Sequence, residues 1–210
     1  MTVIETENRY HHGDLKNALI DGALQMLAED GVRGLSLRKV ARHIGVSHNA
    51  PYQHFADKEA LIAALAERGF RQLDEAIQQG VTSMGEADPV AWLVKAGMCY
   101  VEFMSTHAEY HEVMFGSFPH RDYPSLAEQA LASFNHLVRL VEDGQAAGVF
   151  RDGDPREIAA VLWAAVHGLS AILASQKMPP QITGSRSASE LTAHFIHMTL
   201  EGVLKPVSSG

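Results

Sequence analysis

LSLRKVARHIGVSHNAPYQHFADKEAL, residues Leu35 to Leu61, decides how the rest of the chain is read. Leu37, Val40, Ala41 and Ile44 recur at three and four, the period of a helix with one apolar face, and leave Arg38, Lys39, Arg42 and His43 on the other. Ser36 stands where the helix needs an N-cap, and Gly45 where the chain must turn. A further short helix is predicted from Ser47 to about Phe55, and Asp57 caps the one after it. Two short helices crossing at a glycine-containing turn have the geometry of a helix-turn-helix, whose second helix lies in the DNA major groove. The competing reading of the same pair is an αα-hairpin packed inside a core.

Under the DNA reading each residue type has a task. Ser36 and Ser47 sit at helix starts, where free backbone N–H groups favour a phosphate. Val46, Ile44 and Phe55 bury the corner. His48, Asn49 and Ala50 occupy the turn that reaches base edges, where asparagine bonds adenine in two places and a small alanine permits approach to a thymine methyl. Tyr52, His54 and Lys58 point toward the backbone, and Arg38 and Lys39 add positive charge beside them.

The wider composition sharpens this reading. The 210-residue chain has a formal net charge of -8, which by itself looks wrong for a polyanion binder. The charge is unevenly spread. Residues 33 to 58 carry Arg33, Arg38, Lys39, Arg42 and Lys58 against Asp57 alone, and the acid is concentrated further along. With 46% hydrophobic residues and 1 cysteine, stability is expected from burial, not from a disulfide. No run reaches the length of ~18 uninterrupted apolar residues, and the start MTVIETENRYHHGD lacks the features of a signal peptide, so a cytoplasmic protein without membrane contact is expected.

Outward from this stretch, nearly every segment has helical period. Leu15, Leu19, Ala23 and Leu27 form a stripe with Asp14 as expected cap and Gly31 as end. Leu61, Leu65, Phe70, Leu73 and Ile77 form another that runs to about Gly80. Helices follow from Pro89 to about Thr106, through Tyr110 to Phe115, from Ser125 to Ala147, from Asp154 onward, and from Ala188 to Leu204. The loops GSFPHRDYP and SQKMPPQITGSRS separate them, and the tail KPVSSG is expected to fray. The predicted fold is all-α with about nine helices: a head over residues 1–57, ordered from about 11; a connecting helix over 58–80; and a larger helical domain over 81–205.

Gly45, Val46, Ser47, Tyr52, His54, Phe55, Lys58, Glu59 and Leu61 resemble, in identity and spacing, the signature of the tetracycline-repressor (TetR) family. The flanking helices stand where the first and fourth helices of that family stand. One departure is Pro51, where the family usually has an aliphatic residue. Proline lacks the donor N–H and is tolerated only in the first turn, so the helix starts at Ser47 or slips to Asn49.

Trp163, His167 and Gly168 in LWAAVHGLSAIL, with Thr106 to Gly116, are similar to a subgroup of the family named for its Trp-His-Gly motif. The resemblance implies a ligand-responsive regulator, most simply a repressor of a palindromic operator in double-stranded DNA, released by an apolar or aromatic small molecule. It also implies a pocket among the helices after the fourth, where this chain supplies Tyr100, Phe103, Met104, Met114, Phe115, Trp163 and His167, with Glu102 and His167 as polar candidates. Ala160, Ala164, Gly168 and Ala171 form a small-residue stripe that lets another helix approach. By family analogy this helix and the last one, with Leu191, Phe195, Met198 and Gly202, pair with their copies in a homodimer.

The 12 histidines raise a rival reading, a metal-sensing regulator or a helical metalloenzyme. His107 and His111 are spaced by four with Glu112 near, and His194 and His197 by three, spacings that bind zinc if a third ligand converges. No His-Glu-x-x-His, nucleophile elbow, phosphate loop or dinucleotide fingerprint accompanies them, so neither an enzyme nor a cofactor is expected.

Overall fold

The computed structural model describes residues 12–86, 88–116 and 122–204, so the chain start, part of the GSFPHRDYP loop and the KPVSSG tail lie outside the described residues. Nine α-helices and one 3-10 turn are present among those described. Helix α1 (His12–Gly34) begins before Asp14, so the residue expected as its N-cap lies in its first turn. At Gly31 the backbone leaves helical geometry, at φ 65° and ψ -179°, a conformation open mainly to glycine, and the helix resumes to Gly34 past the kink. Helix α2 (Leu37–His43) starts at the Ser36 N-cap, whose Oγ accepts from the Lys39 N–H at 3.2 Å, and Gly45 turns the chain at φ +77°.

The expected third helix is reduced to the 3-10 turn Ala50–Gln53. The reason is Pro51. An α-helix from Ser47 would need the Pro51 N–H to meet the Ser47 carbonyl; with no such donor, the Ala50 N–H takes that carbonyl at 3.0 Å in i→i−3 fashion. The Pro51 ring is buried, so the same residue that shortens the helix anchors it. Helix α3 (Lys58–Thr82) then starts at Asp57, whose Oδ1 accepts from the Ala60 N–H at 2.8 Å.

The body contains α4 (Pro89–Thr106), α5 (Ala108–Phe115), α6 (Pro124–Ala146), α7 (Pro155–Ala174), α8 (Pro180–Thr183) and α9 (Ala188–Glu201). The polar segment before α9, expected as a loop, holds α8, a single turn. The α7 sequence is long and apolar enough to cross a membrane by composition, but it packs on α4, α6 and α9 and joins their core.

Two apolar clusters organise the molecule. One runs without a break from the head into the body: Leu19, Ala23, Val40 and Phe55 join Leu61 and Leu65 of α3, then Met104, Tyr110, Val113 and Met114. The other holds the far end of the body together through Leu93, Val138, Val141, Phe150, Leu162 and Leu200. Each fully buried side chain of this size stabilises the fold by about 1.5–3 kcal/mol relative to exposure. Helix α3 contributes Leu61 through Leu73 to the first cluster, so packed side chains connect head and body along it.

Candidate nucleic-acid interface and ligand cavity

The residues expected from sequence to meet DNA differ in exposure on the head. Arg38, Lys39, Arg42, Ser47, His48 and Asn49 are exposed, Tyr52 is 48% exposed, Ala50 and Lys58 are half-buried, and Gln53, not singled out from sequence, is exposed beside them. Asn49 caps the 3-10 turn through its backbone only, so its amide is not consumed there. Three of the cluster are already engaged within the head. The Ser36 hydroxyl holds the Lys39 N–H, Lys39 Nζ donates to the Gly34 carbonyl at 3.0 Å, and His43 Nε2 lies 2.8 Å from Gln25 Oε1 on α1. His54 is half-buried against the head, away from the fully exposed set.

Between the two apolar clusters lies a cavity of about 460 Å³. Helix α3 supplies Phe70, Leu73 and Ile77 to its wall, α5 supplies Met114 and Phe115, and α7 supplies Trp163. Tyr100, Met114, Phe115 and Trp163 from the expected ligand set line it; Phe103 and Met104 are buried in the adjoining core without reaching it. Glu102 is exposed on α4 and is not part of the wall, because helical period turns it away from Tyr100 and Phe103.

His167 stands behind the wall. Its Nδ1 is 2.9 Å from the Tyr100 hydroxyl, its ring stacks on His111 at 5.2 Å and meets Phe115 edge-on at 4.6 Å. Burial, then the neighbouring His111, lowers the His167 pKa and favours the neutral ring, while burial raises that of the Tyr100 hydroxyl. With the ring neutral, one hydrogen bond joins the Tyr100 hydroxyl to Nδ1.

Among the polar lining residues that the sequence does not single out, Asp74, Ser133 and His136 meet at one point of the wall. Ser133 Oγ donates to Asp74 Oδ1 at 2.8 Å, and His136 Nδ1 lies 3.2 Å from the same oxygen. Gln78 Nε2 sits 3.3 Å from the His136 ring. Burial pushes the Asp74 carboxyl above the usual range, against the opposing effects of the Ser133 hydrogen bond and the Arg139 guanidinium. Each of the three looks like an ordinary polar position on its own helix, so no local signal marked them.

Helix α5 touches both regions. Two residues before Met114, Glu112 Oε2 accepts the Val32 N–H at 3.3 Å, just past the Gly31 kink of α1. The Arg68 guanidinium of α3 pairs with Asp21 of α1 nearby.

The metal readings are not supported. His107 lies 3.4 Å from Glu109, His111 stacks on His167, and His194 and His197 are exposed on α9; no three ligating side chains converge among the described residues. On the proposed pairing surface, Ala160, Ala164, Met198 and Gly202 are exposed, and Gly168, Ala171 and Phe195 are half-buried. Leu191 is 1% exposed and packs inside its own chain, so a second copy cannot reach it. Val161 and Ile172, at 55% and 43% exposure, extend the same apolar face.

Residues 19–65 match the family model "Bacterial regulatory proteins, tetR family", and residues 93–196 match "Tetracyclin repressor-like, C-terminal domain". The class A tetracycline repressor from transposon 1721 of Escherichia coli is 51% identical over 51 residues, 24% of each chain, so the match spans about a quarter of that relative's length. The regulator BetI of Cronobacter sakazakii is 24% identical over 191 residues, 89% of this chain and 91% of its own. A solved structure of a protein of unknown function from Rhodococcus sp. RHA1 is 35% identical, with a TM-score of 0.82 over 95% of this chain and 100% of that one.

Proposed function

The chain belongs to the tetR family of bacterial regulatory proteins, and from that premise we propose that it is a repressor that binds a palindromic operator as a homodimer and is released by an apolar or aromatic small molecule. One observation carries the reading: the exposed cationic face of the head and the body cavity share helix α3, whose Leu61 and Leu65 sit in the head core and whose Phe70 and Leu73 line the cavity.

Binding would follow from two parts of the head. Arg38, Arg42 and Lys58 neutralise phosphates and give affinity that falls with salt; His48, Asn49 and Ala50 present short side chains to base edges. The second copy docks on α7 and α9, whose Val161, Ile172 and Met198 side chains are otherwise an apolar face in water. Two heads then meet two half-sites about one helical turn apart.

Release requires a ligand that binds one arrangement of the heads more tightly than the other. A molecule entering between Phe70 of α3 and Phe115 of α5 presses on the two helices that reach the head, α3 directly and α5 through Glu112 and Val32. The apolar wall with few polar groups is the composition of a small-molecule site.

Fluorescence anisotropy of the full chain against the DNA flanking its own coding region, with random duplex as competitor and at low and physiological salt, tests the reading. Selective binding that weakens steeply with salt supports it. Equal affinity for operator-region and random DNA at both salts would refute sequence-selective regulation from that site.

A further inference from the structure

We propose that the cavity takes an apolar molecule carrying one basic amine, whose ammonium group pairs with Asp74. The proposal rests on the reading of this cavity as the effector site and adds the chemistry of the ligand.

The wall decides the sign of charge. No lysine or arginine lines the cavity, and its one carboxylate is Asp74, itself only 8% exposed. A ligand carboxylate or phosphate entering there would lose water without gaining a fixed cation. The Asp74 carboxylate is only half used. Ser133 at 2.8 Å and His136 at 3.2 Å both meet Oδ1, and Oδ2 has no hydrogen bond among the described residues. An ammonium group in the cavity supplies Oδ2 with both a donor and the opposite charge. Protonated His136 and the Arg139 guanidinium are the internal competitors; His136 is 29% exposed, sits on the other oxygen and is also approached by Gln78, and Arg139 acts on the carboxyl without lining the cavity.

The remainder of the wall suits the rest of such a molecule. Phe70, Phe115, Phe134 and Trp163 offer ring faces to a hydrocarbon or aromatic body, and rings near an ammonium add a cation–π attraction. Asp74 also lies on α3, one residue from Leu73 of the continuous core, so an ion pair formed there acts on the helix that enters the head.

Calorimetric titration of the full chain with decylamine, decan-1-ol and decanoate separates the alternatives by head group at constant tail. The amine is expected to bind at least about tenfold more tightly than the alcohol, with decanoate weakest. Asp74→Asn is expected to reduce decylamine to the affinity of decanol while leaving decanol unchanged. The proposal is overturned if decanol or decanoate binds as tightly as the amine, or if Asp74→Asn keeps the amine preference; in either case the cavity still stands as a ligand site. If Asp74→Asn does not fold, the ranking by the natural chain decides alone. Binding of none of the three overturns the proposal together with the reading of the cavity. Asp74-dependent amine binding that leaves operator affinity unchanged upholds the ligand chemistry and refutes the effector role.

Discussion

The Tyr100 hydroxyl of α4 and Nδ1 of His167 on α7 meet at 2.9 Å, joining two helices behind the ring of Phe115. Because burial lowers the His167 pKa, the folded chain resists a proton that the unfolded chain accepts near its ordinary value of 6.5. The contribution to stability is therefore full above that value and is lost as pH falls through the lowered folded one. The melting temperature should drop between about pH 7.5 and about pH 5, and the double variant Tyr100→Phe, His167→Phe should drop by less. Equal losses in both proteins would show that His167 does not carry the dependence. Tyr100→Phe alone should cost about 0.5–1.5 kcal/mol at neutral pH by leaving Nδ1 without its hydrogen-bond partner.

Gly144 in α6 lies under the Phe150 ring so closely that a Cβ placed there would stand 2.0 Å from Cδ2 and Cε2. The ring cannot withdraw easily. The Phe150 N–H bonds the Gly144 carbonyl at 3.2 Å, and the next residue is tied to the segment after α9 by Arg151 N–H to Val203 carbonyl at 2.9 Å. Gly144→Ala should destabilise by about 1–3 kcal/mol or more, read as a lower urea midpoint with unchanged m. A midpoint equal to that of the natural chain would mean the ring has room to move.

Glu112 is the polar contact from α5 to the α1 backbone beyond its kink. Glu112→Ala should leave the fold and operator binding near those of the natural chain but reduce the shift in operator affinity caused by ligand, by about 0.5–2 kcal/mol of coupling. Operator titrations with and without saturating ligand measure it. An unchanged shift would place the whole of the coupling on α3.

Asn49 and Tyr52 divide the head's contacts into two kinds. Asn49→Ala should relax base choice at one operator position by about 1–3 kcal/mol. Tyr52→Ala should weaken operator and random DNA alike. Equal loss on both DNAs for the Asn49 variant would remove that residue from base reading.

Local chemistry is why the head was legible in the sequence. Ser36 and Asp57 cap because a helix start has free N–H groups, and Gly45 turns because its φ of +77° suits no side chain well; the exception is the 3-10 turn at Ala50–Gln53, where a helix from Ser47 to about Phe55 is expected and Pro51 lacks the donor to continue it. The apolar stripes of the body likewise fixed which residues form helices and which faces are inward. What sequence did not contain was the meeting of faces from distant segments. Asp74 on α3 and Ser133 and His136 on α6 each read as polar positions beside an apolar stripe, and only the packing of α3 against α6 brings them to one oxygen in a cavity. Packing also excluded Glu102 from that wall, placed Leu191 inside its own chain and set His167 behind the aromatic wall. Periodicity acts within a few residues of chain, whereas these placements depend on the rotation and spacing of whole helices, which the tertiary core decides.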